Sequence, residues 1–189
     1  MGKLFILIGE SGSGKSTIEK EIHKLGLASK VISTTTRKPR SYEAEGEDYH
    51  FISDIVFKTY LSQGQYAEWS QYTTVDGKAY YGINKNDIKL DKGNQLCVVN
   101  PHGARQLKKS LGDDVVVIHI KRDDRSRVVS ALNRDDSNFD NVFREAYRRY
   151  LADKEDFSGL EDIVDYVVSN NSSLENTINE IKKIIEKEM

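Results

Sequence analysis

The stretch Gly9-Glu10-Ser11-Gly12-Ser13-Gly14-Lys15-Ser16-Thr17 has the residue types and spacing of a phosphate-binding loop, G-x-x-x-x-G-K-[ST]. Its glycines let backbone N–H groups crowd around phosphate oxygens, and a helix starting at its end adds a positive terminus. In such a loop Lys15 supplies a full positive charge near the β and γ phosphates, and the Ser16 hydroxyl is placed to ligate Mg²⁺. The plain alternative is a Gly/Ser turn that happens to end in Lys-Ser. Context decides between them: the apolar run Leu4-Phe5-Ile6-Leu7-Ile8 precedes the loop and a helix-like segment, residues 18–25, follows it, so strand, turn and helix stand in the order that phosphate binding requires.

These elements begin a parallel α/β unit, with Gly26 suited to end the first helix. Val31-Ile32 starts a second strand. From residue 33 to 49 polar and turn-forming residues replace the apolar core, as in an exposed strand and loop that carries binding groups. Residues 51–64 predict a helix with Asp54 as cap, and Asp76-Gly77 predicts a hairpin between flanking aromatic-rich strands. A short helix over residues 84–90, a core strand at Leu96-Cys97-Val98-Val99, a helix over 101–111 and a strand over 115–120 return the alternation of a parallel sheet. A charged helix to Leu132, a break at residues 134–138 and a long helix over 139–157 read as a lid. A last strand, residues 165–168, and an amphipathic helix, residues 172–187, close the chain. The expected fold is therefore α/β: a P-loop parallel-sheet core with helices on both faces (1–32 and 83–189, with the lid at about 124–157) and an inserted mixed α+β lobe (33–82).

The chain has 189 residues, of which 38% are hydrophobic, enough for one domain with an inserted lobe. A net charge of −2, with acidic and basic residues interspersed, gives no global field to recruit nucleic acid. One cysteine, Cys97, excludes an internal disulfide and reads as a small core residue. No apolar run approaches the ~20 residues that span a membrane, so a cytoplasmic protein without nucleic-acid or membrane partners is expected.

Taken together, the phosphate loop, Thr34-Thr35-Thr36-Arg37-Lys38-Pro39-Arg40, Gly46-Glu47-Asp48-Tyr49-His50-Phe51, Glu68-Trp69 and Tyr80-Tyr81-Gly82 resemble the guanylate kinase family over essentially the whole chain. The resemblance implies transfer of the γ-phosphoryl group of ATP to GMP with Mg²⁺. It implies that Gly9 to Thr17, Arg134 and Asn170 bind ATP, and that Ser33, Arg37, Arg40, Tyr49, Glu68, Tyr81 and Gly82 bind GMP. Lys15, Arg37, Arg134 and Arg144 then act on the moving phosphoryl group. The chemistry agrees: forked guanidinium groups and phenols suit a dianionic phosphate, and a carboxylate at Glu68 can accept from both N1–H and the exocyclic amine of guanine. For Arg37 and Arg40 a solvated basic loop, and for Tyr49 and Tyr81 ordinary sheet packing, are the bland alternatives.

Four positions, in three respects, depart from the family pattern. Ile83 stands where a hydroxyl helps to read the base, Val98 and Asn100 stand where the family has carboxylates, and Ser130 replaces a lid arginine. Asn100 could still reach the metal through a bound water. Beside the guanylate kinase reading stand a kinase of the same fold with another nucleoside monophosphate or a phosphorylated ribose as acceptor, and a non-catalytic binding module that keeps the fold. The chain is expected to be a monomer or dimer.

Overall fold

The computed structural model describes residues 1–74, 77–133 and 139–189. Strand β1 (Leu4–Ile8) has five apolar residues without polar alternation, and every one of them is fully buried. A strand reads this way when both faces of its sheet are covered. β1 lies at the centre of a five-stranded, all-parallel sheet with β2 (Ser29–Lys30), β7 (Gln95–Val98), β8 (Val115–Lys121) and β9 (Tyr166–Ser169), in the order β2-β7-β1-β8-β9. Phe5 and Leu7 pack with Ile18 and Ile22 of α1 (Lys15–Lys24) and with Ile181 and Ile185 of α6 (Leu174–Lys187). Leu4, Ile6 and Ile8 point the other way, into a cluster with Ala104 and Leu107 of α3 (Pro101–Leu111). The expected parallel core with helices on both faces is what the chain forms, and Cys97 is buried inside it.

A second sheet combines β3 (Thr34–Thr35), β4 (His50–Phe51), β5 (Tyr66–Thr74) and β6 (Gly77–Asn84) in the order β4-β3-β6-β5. It is mixed, with β3 and β4 parallel and the other pairs antiparallel. The hairpin forms where Asp76-Gly77 predicts one, although Asp76 itself lies outside the described residues. Helix α2 (Asp54–Ser62) covers this sheet through Phe57, whose ring stacks on Tyr66 at 4.4 Å and on Tyr80 at 5.3 Å. Its cap is Ser53, not Asp54. Ser53 has the extended backbone that a cap needs, and its hydroxyl accepts from the Val56 N–H at 3.3 Å, whereas Asp54 is already helical.

Other boundaries move for similar local reasons. The short helix expected over residues 84–90 is instead two 3₁₀ turns, Lys85–Asp87 and Leu90–Lys92, the first capped by the Asn84 side chain. The second strand falls at Ser29–Lys30, two residues early, and Val31 continues its pairing through one N–H to Leu96 O bond of 2.9 Å. Residues 124–157, expected as a lid, supply α4 (Asp124–Leu132) and α5 (Phe139–Asp156), which pack against each other; the break expected at residues 134–138, Arg134 included, lies outside the described residues. No helix among the described residues is long and apolar enough to cross a membrane.

Since Phe57 is fully buried between two aromatic rings, Phe57→Ala should destabilise the protein by about 3 to 5 kcal/mol. Urea unfolding monitored by tyrosine fluorescence measures this, and a loss under about 1 kcal/mol would show that the stack does not hold the second sheet together.

Candidate active site

A cleft of about 260 Å³ opens between the two sheets. At one end stand Gly9, Ser11, Lys15 and Ser16 of the loop that β1 delivers to α1; at the other stand Glu68, Ser70 and Tyr72, alternate residues on one face of β5. Ser33, Arg37, Arg40, Tyr49 and Tyr81 also line it. Residues between 9 and 81 in the chain thus converge on one cavity.

The loop has the shape its sequence predicts. Gly9, Gly12 and Gly14 all have positive φ, 157°, 83° and 99°, and at Gly12 a side chain would collide with the backbone of Arg127. Lys15 folds back so that Nζ donates to Gly9 O at 2.5 Å and Glu10 O at 3.0 Å. The loop carbonyls are held from outside: Arg127 Nε donates to Ser11 O at 3.2 Å, Arg122 Nη1 to Gly12 O at 3.3 Å and Asn170 Nδ2 to Ser13 O at 2.8 Å. Asn170, expected to bind ATP, has its amide oxygen engaged as well, because its Oδ1 accepts from Thr177 Oγ1 at 3.0 Å. The Glu10 side chain is not in the cleft; it turns toward His119 and Arg127. Burial pushes its carboxyl up, but the hydrogen bond with His119 and the charge of Arg127 outweigh this and hold it at about 2.

The expected phosphate arginines are organised by an acid that the motif reading passed over. Arg37 meets Glu43 with both terminal nitrogens at 2.6 Å and donates through Nε to Tyr81 Oη at 3.0 Å, and its Cζ lies over the Tyr49 ring, 5.0 Å from the centroid. Glu43 also accepts from the Arg40 N–H at 2.9 Å. One carboxylate therefore fixes both cations. Its separations in sequence, six residues from Arg37 and three from Arg40, give no signal by themselves, and only the turn at residues 40–43 reveals the pairing.

At the far end Glu68 is 4% exposed and presses on the first turn of α3: a Cβ on Gly103 would come within 2.5 Å of its Oε2. Burial drives its carboxyl up to about 8, opposed only in part by a hydrogen bond from the Ile83 backbone. Ile83 itself does not line the cleft. Its side chain is fully buried with Leu4 and Ile6, so it acts as core rather than as a failed base reader. Polar groups on this wall come instead from Ser70 and Tyr72. Gly82 has no room for a side chain, because a Cβ would lie 2.8 Å from the Tyr66 ring. Val98 lines the cleft. Asn100 caps α3, its Oδ1 accepting from Gly103 N at 2.7 Å and from Ser70 Oγ at 3.4 Å, so the carbonyl expected to serve a metal-bound water is already occupied.

On the lid side Arg144 is exposed and absent from the cleft wall, whereas Arg148 and Arg149, one turn further along α5, line it. Both donate to Glu145, at 2.7 to 2.9 Å. Ser130, where a lid arginine was expected, accepts from Arg122 Nη1 at 3.0 Å.

The guanylate kinase family profile matches residues 1–188. The chain belongs to the guanylate kinase family. It is 30% identical to a guanylate kinase of Mycoplasma genitalium over 97% of this chain and 75% of that one, and 31% identical to one of Anaeromyxobacter dehalogenans over 99% and 81%. The crystal structure of a guanylate kinase from Anaplasma phagocytophilum superposes with a TM-score of 0.71 at 26% identity, covering 99% of this chain and 86% of that one. Family membership leaves the apolar residues at 83 and 98 as features of this chain.

Glu68 makes stability depend on pH. Its carboxyl sits at about 8 in the folded protein against 4.5 when exposed, so the folded state binds more protons between those values and loses stability as pH rises through them. Glu19, raised to about 7 chiefly by burial, acts in the same direction. Glu68→Gln removes only the first contribution. Between pH 5 and pH 9 the wild type should lose on the order of a few kcal/mol more than Glu68→Gln in urea unfolding, and equal losses would mean that Glu68 is not protonated in the ligand-free fold.

Proposed function

We propose that this protein transfers the γ-phosphoryl group of ATP to GMP, giving ADP and GDP. One observation carries the reading: a single cleft joins a phosphate loop with its lysine at one end to a buried carboxylate at the other, with the paired arginines and phenols between them. Phosphoryl transfer asks mainly for positioning and neutralisation of charge. The loop N–H groups and Lys15 take the ATP phosphates. Arg37, Arg40, Tyr49, Tyr81 and Ser33 take the GMP phosphate, which competes with Glu43 for the Arg37 fork. Glu68 gives up its proton to accept the two donors on the guanine edge, so that its burial, costly for a charge, becomes favourable only with a guanine in place.

Arg148 and Arg149, already on the wall, join Arg134 and Arg144 as candidates to meet the moving phosphoryl group, and residues 33–82 act as the acceptor lobe. The donor set suits Mg²⁺: Ser16 offers a hydroxyl in the cleft, and an ion of this kind is held mostly by nucleotide phosphates and water. Ser16 would help to hold the ion, which would supply positive charge to offset that of the transferring phosphates. With ATP and GMP as its substrates, the compartment proposed for its work is the cytoplasm.

A coupled ADP-release assay with ATP and a panel of monophosphates tests the activity directly. Lys15→Ala should lower turnover ~10³-fold or more in a protein that still folds, and near-normal turnover would rule out the mechanism. The acceptor is tested by a ratio. In wild type GMP should be favoured over AMP, and Glu68→Gln, which sets a donor beside donors, should lower kcat/KM for GMP by about 2 to 4 kcal/mol while sparing AMP. An equal loss for both acceptors would remove Glu68 as the base reader.

A further inference from the structure

Beside the phosphate loop, charged side chains from four elements meet: Glu10 of the loop, His119 of β8, Arg127 of α4 and Asp153 of α5. Arg127 is 5% exposed, an unusual burial for a guanidinium. Its Nε donates to Ser11 O at 3.2 Å, Nη2 to Asp153 Oδ2 at 3.1 Å and Nη1 to Asp124 Oδ1 at 2.7 Å, with Glu10 Oε1 3.6 Å from Nη1. The same Asp153 oxygen accepts the Ser11 N–H at 2.7 Å. Arg127 and Asp153 together therefore grip both polar groups of one residue in the phosphate loop.

We propose that Arg127 is a positioning residue for the ATP site, fixing the Ser11 segment of the loop and neutralising Glu10 and Asp153 so that the loop presents a net positive face to a triphosphate. The geometry requires a guanidinium, since a single point charge cannot serve a carbonyl and three carboxylates lying in different directions. The electrostatics require it too. Asp153 lines the cleft close enough to Lys15 for the two charges to act on each other, and without Arg127 it would set a carboxylate against the phosphates, with the charge of Glu10 uncompensated behind the loop. A buried ion cluster is by itself weak evidence for stability. This one is centred on a loop peptide, and the α4 backbone at Arg127 lies directly against Gly12, so the helix cannot shift to fill the gap. Because Asp153 belongs to α5, the contact also ties the lid helix to the loop.

The inference rests on the kinase reading above, and the experiment separates the two. Steady-state kinetics with ATP-Mg²⁺ and GMP are measured for wild type, Arg127→Met, Arg127→Met with Asp153→Asn, and Arg127→Lys, with thermal unfolding as a check on folding. Arg127→Met should raise KM for ATP about ten-fold or more and leave KM for GMP within about two-fold. Adding Asp153→Asn, which removes a stranded carboxylate, should recover about three-fold of that loss in KM for ATP, whereas a role in folding alone would restore the unfolding temperature and leave KM for ATP unmoved. Should Arg127→Met fail to fold, Arg127→Lys carries the same test, with an expected rise in KM for ATP of about three-fold. A folded variant with unchanged KM for ATP, a parallel rise in both KM values, or a double variant worse than the single overturns the inference while the kinase reading stands. Wild-type protein inactive with every monophosphate overturns that reading and this inference with it.

Discussion

A loop of backbone N–H groups binds an anion only if its carbonyls are held outward, because each peptide offers one group to each side. The rest of this structure serves that constraint. β1 is buried on both faces, so the loop starts from a fixed point, and α1 begins directly after Gly14. The carbonyls of Ser11, Gly12 and Ser13 are each taken by a side chain from a later part of the chain, Arg127, Arg122 and Asn170. Much of the second half of the sequence, which holds no recognisable phosphate motif, thus builds the outer wall of a motif near its start.

At the opposite end of the cleft the governing term is desolvation. Glu68 is buried against α3 with too few partners to keep its charge, and it is raised accordingly. Such a carboxyl distinguishes ligands by what they donate, since only a partner with two adjacent N–H groups replaces what burial removes. Between the ends, Glu43 plays the reverse part. It is held below the ordinary carboxylate range because the Arg37 and Arg40 hydrogen bonds outweigh its burial, and it holds the Arg37 fork and the Arg40 backbone, with the Arg40 guanidinium 3.6 Å away.

The departures from the family pattern look different in three dimensions. Ile83, read as the loss of a base contact, belongs to the core cluster, while Ser70 and Tyr72 bring hydroxyls to the cleft wall from the neighbouring strand. Asn100, read as a weakened metal ligand, is a helix cap. An apolar or amide residue at a motif position therefore says little until its direction is known, because the same strand offers its alternate residues to opposite faces.

By itself the sequence determined the phosphate loop, the parallel core and the family. Each of these rests on short-range order: glycine spacing for the loop, unbroken apolar strands between helices for the core, and motifs in fixed succession for the family. The elements with strong local signals were legible almost to the residue, and those that moved, the Ser53 cap and the 3₁₀ turns after Asn84, turned on side-chain to backbone bonds that more than one neighbouring residue could have made. Tertiary structure alone decided which charged residues work together. Glu10, Arg127 and Asp153 are 26 to 143 positions apart and look like any charges on loop and helix surfaces, and Arg148 and Arg149, rather than Arg144, reach the wall because they lie one turn further along α5. Periodicity gives a helix its apolar face, but the azimuth of its charged residues relative to a distant loop is set by packing, and no local pattern encodes it.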